Sequence, residues 1–295
     1  MLHKPVQLSI AKRNGKWVSI GEVPSGLAGG CICPGCGASL IARKGKRQQH
    51  HFAHHGDASC TGAIESALHQ FAKLVVRSAS ALLLPPVVVY RKGMIRPATA
   101  IHFDYAKEEV CFNGRLQTDV LGYKKNTPLA VEIKVSHAVD AEKTSAYIRE
   151  GLACIQIDVR SIYDELCAQG KSGDIEALRQ GILHHPHHRS WVFSPLQHKT
   201  EYRLAHTATP LPVVTNKKGQ HTHYHVYRCP RNLRFVRGGF RDGYSYARVF
   251  QDCLHCAACR EIVYERVWSG YRQLPTLPIK VLCGYEDGSI TNANK

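Results

Sequence analysis

A chain of 295 residues, 44% hydrophobic and 21% charged, has room for two or three compact units and the composition of a globular protein. No apolar run approaches the roughly 20 residues of a membrane span, and the opening residues are too polar for a secretory leader. The net charge of +16 therefore points to a cytoplasmic protein that meets a polyanion and no membrane.

The placement of that charge says more than its size. Residues 1–62 carry eight Lys/Arg against two acids, and residues 184–295 carry sixteen against seven; residues 63–183 carry fifteen against fourteen. Basic flanks around a near-neutral centre suit a protein that holds DNA with its ends and works on it with central carboxylates.

In chain order, residues 6–11 and 16–23 read as strands joined at Asn14-Gly15, a strong short hairpin signal. A second hairpin, 39–43 and 48–52, turns at Gly45. Residues 64–81 have helical periodicity, stopped by Pro85-Pro86. Strands are expected at 87–90, 98–104, 109–112, 116–122 and 129–136, a helix at 141–151, a strand at 153–159, and helices at 162–169 and 175–182. The composition changes near 185–192. This gives an α/β protein in three parts: a β-hairpin and zinc-knuckle segment (1–62), a core with a mixed sheet flanked by helices (63–188), and a basic zinc-ribbon-like domain (189–295).

Six of the twelve cysteines fall in two tight clusters, Cys31, Cys33 and Cys36, then Cys253, Cys256 and Cys259. Without an export leader these read as metal ligands rather than disulfides. In Cys33-Pro-Gly-Cys36 the turn aims two thiolates at one ion. The second pair must come from His50, His51, His54, His55 and Cys60. His54 and Cys60 are the choice, with His51 the substitute and Cys31 a competing thiolate. Cys229, Cys253, Cys256 and Cys259 form a second set suited to structural Zn²⁺; His223, His225 or His255 can replace one of them. Between them run Arg231, Arg234, Arg237 and Arg241 with Tyr244 and Tyr246, a strip fit to clasp phosphates and stack bases. The run His184, His185, His187, His188 reads as a solvated loop, since Pro186 interrupts any helical face.

The catalytic candidate lies in the core. Side chains alternate along a strand, so Glu132 and Lys134 share one face while Val131 and Ile133 point into the core. Asp119, on the preceding strand with Arg115 on its face, can approach Glu132. Two close carboxylates repel unless a divalent cation lies between them. Mg²⁺ or Mn²⁺ held there would activate water, and Lys134 would orient or deprotonate that water and stabilise charge on phosphorus. Glu65, His69 and Lys73 line one face of the first helix, where Glu65 adds a metal contact or Lys73 a phosphate contact.

Several of these motifs in order, Cys33-Pro-Gly-Cys36-Gly, His51-Phe-Ala-His54, Cys60, Glu65-Ser-Ala-Leu-His69, Lys73, Asp119-Val and Glu132-Ile-Lys134, resemble the competence protein CoiA-like nuclease family over residues 28–160. The resemblance implies a PD-(D/E)XK nuclease core, with Asp119, Glu132 and Lys134 matching the family's catalytic triad and Glu65 its helix acid. Many relatives have Gln at the position of Lys134, so the lysine favours an active enzyme. The expectation is a Mg²⁺-dependent endodeoxyribonuclease acting on duplex, single-stranded or branched DNA, with homodimerisation left open. The alternatives are a catalytically silent DNA-binding protein of the same fold and a zinc-stabilised recruitment factor.

Overall fold

The structure is a computed structural model that describes residues 7–46, 49–56, 60, 62–89, 92–236, 243–269 and 272–285. The chain divides into two compact units, one of residues 1–87 and 96–195, the other of residues 88–95 and 196–295.

The first unit opens with the five-stranded sheet β2-β1-β3-β4-β5. Strands β1 (Ile10–Arg13) and β2 (Lys16–Ser19) meet at Asn14 and Gly15, whose φ angles of 50° and 76° match a two-residue hairpin turn. β2 stops early because Ser19 caps a 3-10 turn: its hydroxyl accepts from the Gly21 amide, and the Glu22 carboxylate accepts from the Ser19 amide. β3 (Gly26–Ile32), β4 (Ser39–Arg43) and β5 (His51–His54) complete the sheet. Helix α1 (Ala63–Arg77) follows, ending four residues before the periodicity suggests. The Ser78 hydroxyl and amide bond back to the Leu74 carbonyl, and the chain turns into β6 (Leu82–Leu84), which pairs with β9 (Thr99–Ile101). The intervening residues form β7 (Val87–Val89) and β8 (Gly93–Arg96), of which residues 88–95 belong to the second unit.

The central sheet runs β10-β11-β12-β13-β14. β10 (Tyr105–Phe112) is longer than expected because it pairs with β11 (Leu116–Lys124) from Tyr105↔Tyr123 onward. β12 (Thr127–Lys134) is antiparallel to β11 and parallel to β13 (Cys154–Asp158), so a crossover is required, and α2 (Ala141–Glu150) supplies it. Asp140 caps the start of α2, and Gly151, at φ 63°, ends it in the left-handed conformation. After α3 (Val159–Ala168) and α4 (Ile175–His184), β14 (Arg189–Phe193) pairs with β13. Because that ladder joins β14 to the central sheet, the first unit continues through Pro195, past the composition change.

The sheet is a mixed one between two helical layers. Val120, Val131, Ile133, Ile155 and Ile157 pack in one cluster with Leu68, Phe71 and Val75 of α1 and with Ile162, Leu178 and Ile182 of α3 and α4. Leu121, Ala130 and Cys154 on the opposite face meet Tyr147 of α2 and Phe193. Each fully buried Leu, Ile or Phe contributes about 1.5–3 kcal/mol, so this double layer is what holds the strand ends in place.

The second unit carries a six-stranded antiparallel sheet, ordered β17-β18-β16-β15-β20-β19. Its elements are α5 (Pro195–Thr207), β15 (Thr209–Lys218), β16 (His221–Tyr227), β17 (Arg234–Val236), β18 (Tyr244–Arg248), β19 (Cys259–Ser269) and β20 (Arg272–Cys283). Its small core combines Val226, Ala247, Val249 and Val281 with Cys229, Cys253 and Cys259.

Candidate functional site

Two sites in the first unit bring together residues that are distant in the sequence. In the N-terminal one, the Cys33 amide donates to the Ala38 carbonyl (2.8 Å) and the Gly37 amide to the Cys33 carbonyl (2.9 Å), which closes the knuckle. The β3–β4 pairing Ile32↔Ser39 carries the knuckle, and the β4–β5 pairing Leu40↔His54 carries the imidazole. Cys60 comes from the approach to α1. One ligand atom from each of Cys33, Cys36, His54 and Cys60 lies within 4.8 Å of all the others, with Cys36 Sγ 3.3 Å from His54 Nε2. Three thiols and one imidazole at that spacing are a donor set for tetrahedral zinc, and such a site stabilises its segment directly. The fit is tight: a Cβ at Gly35 would lie 3.0 Å from the Ser66 side chain and 3.5 Å from Cys60 Sγ. The four residues chosen from the spacing are the four that converge.

The second site surrounds Asp119 and Glu132. The β11–β12 ladder is in register up to Val120↔Val131, which makes Asp119 and Glu132 the next opposed pair. On the other side, the β10–β11 register places Glu109 opposite Asp119, and Glu109 has φ 53°, a left-handed conformation uncommon for a glutamate. The ladder is thus interrupted on both sides of Asp119. Val131 and Ile133 enter the large core, so Glu132 and Lys134 occupy the other face, as alternation requires.

Each carboxylate is held by protein donors. Asp119 Oδ1 lies 3.2 Å from His69 Nε2 on α1, and Oδ2 accepts the Ile133 amide at 2.8 Å. Glu132 is buried; Oε2 accepts from Lys143 Nζ at 2.7 Å and Oε1 from the Tyr147 hydroxyl, both on α2. Lys134 Nζ donates to Asp158 Oδ2 at 2.6 Å, and Asp158 also caps α3 through the Ser161 amide. Burial pushes Glu132 above the ordinary glutamate value and the charge of Asp119 pushes it further, against the donors Lys143 and Tyr147. Burial also acts on Asp119, but the His69 and Ile133 donors prevail and hold its carboxyl below the usual range. Two neighbouring carboxylates with their titrations pushed apart are a pattern of functional sites.

The structure brings Asp119, Glu132 and Lys134 to one region but gives Lys134 a partner, Asp158, to which the sequence assigned no role. Lys143 and Tyr147 were missed as well. Their signal was the spacing Asp140, Lys143, Tyr147, one face of a capped helix. Glu65 accepts from the Ser136 hydroxyl. Lys73, expected at a phosphate, is buried and its ammonium is paired with Glu109. A helix position under the sheet gives that lysine an internal role. Arg115 is exposed at the turn between β10 and β11.

In the second unit, Cys229, Cys253 and Cys259 are buried in one cluster with Cys256 packed against it. Burial, and then the charges of Cys259, Cys229 and Cys256, push the Cys253 thiol up to about 12. Among the described residues the four do not form a group with all ligand atoms within 4.8 Å, as the N-terminal four do. Of the arginines in the strip, Arg231 donates to Cys256 Sγ at 3.4 Å and Arg234 chelates Asp252 at 2.6 and 2.9 Å. Both therefore have partners inside their own unit, where the sequence reading gave them to phosphates. Arg237 and Arg241 lie outside the described residues. No helix of the described residues is long and apolar enough to cross a membrane.

No curated protein and no solved structure matches the chain. Residues 28–63 match the family described as competence protein CoiA, N-terminal domain. That segment holds all four residues of the N-terminal cluster, and the match supports a CoiA-like protein.

Proposed function

We propose that this protein is a metal-dependent endonuclease of DNA processing in the context of competence, working through Asp119, Glu132 and Lys134 on a PD-(D/E)XK-type core. The observation that carries the reading is the pair Asp119 and Glu132. They come from adjacent strands at the point where the ladder ends, and the charge of Asp119 helps to push the Glu132 carboxyl up. Two carboxylates in one partly buried region fit Mg²⁺ or Mn²⁺, whose oxygen-ligand preference they meet. The bound ion would supply Lewis acidity for a water nucleophile.

The chain's own residues do the rest. His69 and the Ile133 amide fix the rotamer of Asp119, and Tyr147 fixes that of Glu132. Lys143, about one third exposed, pairs with Glu132, the carboxylate that would hold a divalent cation together with Asp119. As a donor already aimed by Asp158, Lys134 fits the task of orienting water and stabilising charge on the phosphate oxygens. The four clustered cysteines of the second unit support a second structural zinc, and the basic flanks of the chain, residues 1–62 and 184–295, support DNA as the partner.

A second reading has its own support: Lys143 and Tyr147 satisfy both oxygens of Glu132, so the site is complete as an internal ion pair, as in a silent DNA-binding protein. Incubating the full chain with linear, single-stranded and branched DNA plus Mg²⁺ or Mn²⁺ separates the two. Cleavage that Glu132→Ala abolishes, at unchanged zinc content, is the expected result. Tight binding with no cleavage under any of these conditions gives the site to the silent reading.

A further inference from the structure

Away from both sites, the loop that joins α4 to β14 carries the histidine run. Pro186 splits the run, and the structure turns two of its four imidazoles inward. His185 and His188 stack, ring centroids 4.4 Å apart, and both point Nε2 at one carboxylate: His188 at 2.6 Å from Glu165 Oε1, His185 at 3.1 Å from Glu165 Oε2. His184 and His187 stay exposed. The expectation of a solvated loop therefore holds for two of the four histidines only.

The loop is built rather than loose. Arg189 is buried, and its guanidinium donates to the carbonyls of His185 (2.6 Å), Ile182 (2.9 Å), Leu183 (3.2 Å), Gly181 (3.4 Å) and Leu83. One side chain thus caps the end of α4 and anchors the backbone of the first histidine. The His188 carbonyl accepts the Asp158 amide, which anchors the second. The His187 amide donates to His185 Nδ1 at 3.3 Å, so the exchangeable proton of a neutral His185 sits on Nε2, the atom facing Glu165.

We propose that Glu165, His185 and His188 form a binding site for a divalent transition-metal ion, distinct from the cysteine clusters and from the Asp119–Glu132 region. One atom from each of the three lies within 4.8 Å of the others. Ligation through Nε2 requires the Nδ1–H tautomer of both imidazoles, so at His185 the proton moves to Nδ1 and the 3.3 Å contact with the His187 amide is given up; two Nε2 lone pairs then lie beside one carboxylate. Such a two-histidine, one-carboxylate set prefers Co²⁺, Ni²⁺ or Zn²⁺ to Mg²⁺ or Ca²⁺, because imidazole is a poor ligand for hard cations. Three protein ligands leave coordination positions open. Glu165 and His185 also line a cleft of about 380 Å³, together with Leu166, Gln169, Gln180 and His184. An ion there would pin α3 to the loop, and α3 starts at Asp158, the partner of Lys134. The site does not depend on the nuclease reading.

The test uses the full chain, free of any histidine tag, with zinc supplied only in the amount that fills the cysteine sites and excess Mg²⁺ present to occupy the Asp119–Glu132 region, titrated with Co²⁺. One further equivalent of Co²⁺ is expected, with weak visible absorption, no thiolate charge-transfer band and a raised melting temperature. His188→Ala and Glu165→Gln should each weaken it by about tenfold or more, while His187→Ala binds like the parent. The proposal is overturned if the zinc-loaded parent takes up no Co²⁺, if the signal is a thiolate band, if His188→Ala and Glu165→Gln bind like the parent, or if His187→Ala loses as much affinity as His188→Ala. Circular dichroism of each variant establishes that the fold is retained.

Discussion

The two units start from the same ingredients and complete them differently. Each contains a Cys-x2-Cys turn and a surplus of basic residues. In the first unit a hairpin register and a helix entry deliver the missing His54 and Cys60 to the knuckle, and all four ligand atoms come within 4.8 Å. In the second unit Cys253, Cys256 and Cys259 sit around a single 3-10 turn and β19, and Cys229 comes from beyond β16; all enter one cluster, and among the described residues they form no group of that spacing. A short spacing secures one pair of ligands cheaply. The other pair depends on long-range pairing, and there the two units part.

The largest effect should separate the two cysteine sets. Cys33→Ser is expected to lower the zinc content by one equivalent and the melting temperature by about 10 °C or more, since metal binding is folding energy for that segment. Cys256→Ser should release zinc with a smaller thermal shift. Equal shifts by calorimetry would erase the contrast drawn between the units.

Next comes the carboxylate pair, which has no counterpart among the described residues of the second unit. Glu132→Gln should reduce cleavage by ~10²–10³-fold with zinc content intact. Stability should move the other way. The folded-state pKa of Glu132 lies above the ordinary 4.5, so its ionisation works against folding as pH rises from that value through the folded one. The neutral glutamine removes that cost, and at pH 7 the variant should melt no lower than the parent. A variant that is inactive and also markedly less stable would instead give Glu132 a structural role.

A smaller effect concerns the acid limb of activity. Tyr147 is a donor that lowers the pKa of Glu132, so Tyr147→Phe should move the acid limb of the pH–rate profile upward, by about one pH unit or less. An unmoved limb would show that a group other than Glu132 governs it.

The smallest effects fall on DNA binding and return to the comparison of units. Arg115 is exposed and Arg234 chelates Asp252. Arg115→Ala should reduce the slope of log affinity against log salt by about 1, and Arg234→Ala should leave it unchanged. The reverse order, read from binding isotherms at several salt concentrations, would move the phosphate contacts to the second unit.

Local signals carried much of this. The Asn14-Gly15 turn, the Cys33–Cys36 knuckle, the alternation that puts Glu132 and Lys134 on one face, and the helix after Asp140 were all legible, because each is set by neighbours a few residues apart; His54 and Cys60 were candidates by residue type, and strand register and helix entry brought them to the knuckle. The early end of α1, the start of β10 at Tyr105 and the attachment of β14 were not. Each follows from a strand partner dozens of residues away or from a side chain that competes for the last helix carbonyls.

The same division holds at the sites. Residue types and spacing determined which side chains could serve as ligands, acids and bases. Tertiary structure alone decided that Glu132 meets Lys143 and Tyr147, that Lys134 meets Asp158, that Lys73 is buried on Glu109, and that two of four loop histidines converge on Glu165. The reason is physical: periodicity sets the face a side chain occupies, whereas its partner across that face depends on sheet register and helix docking, which the burial of the whole core selects.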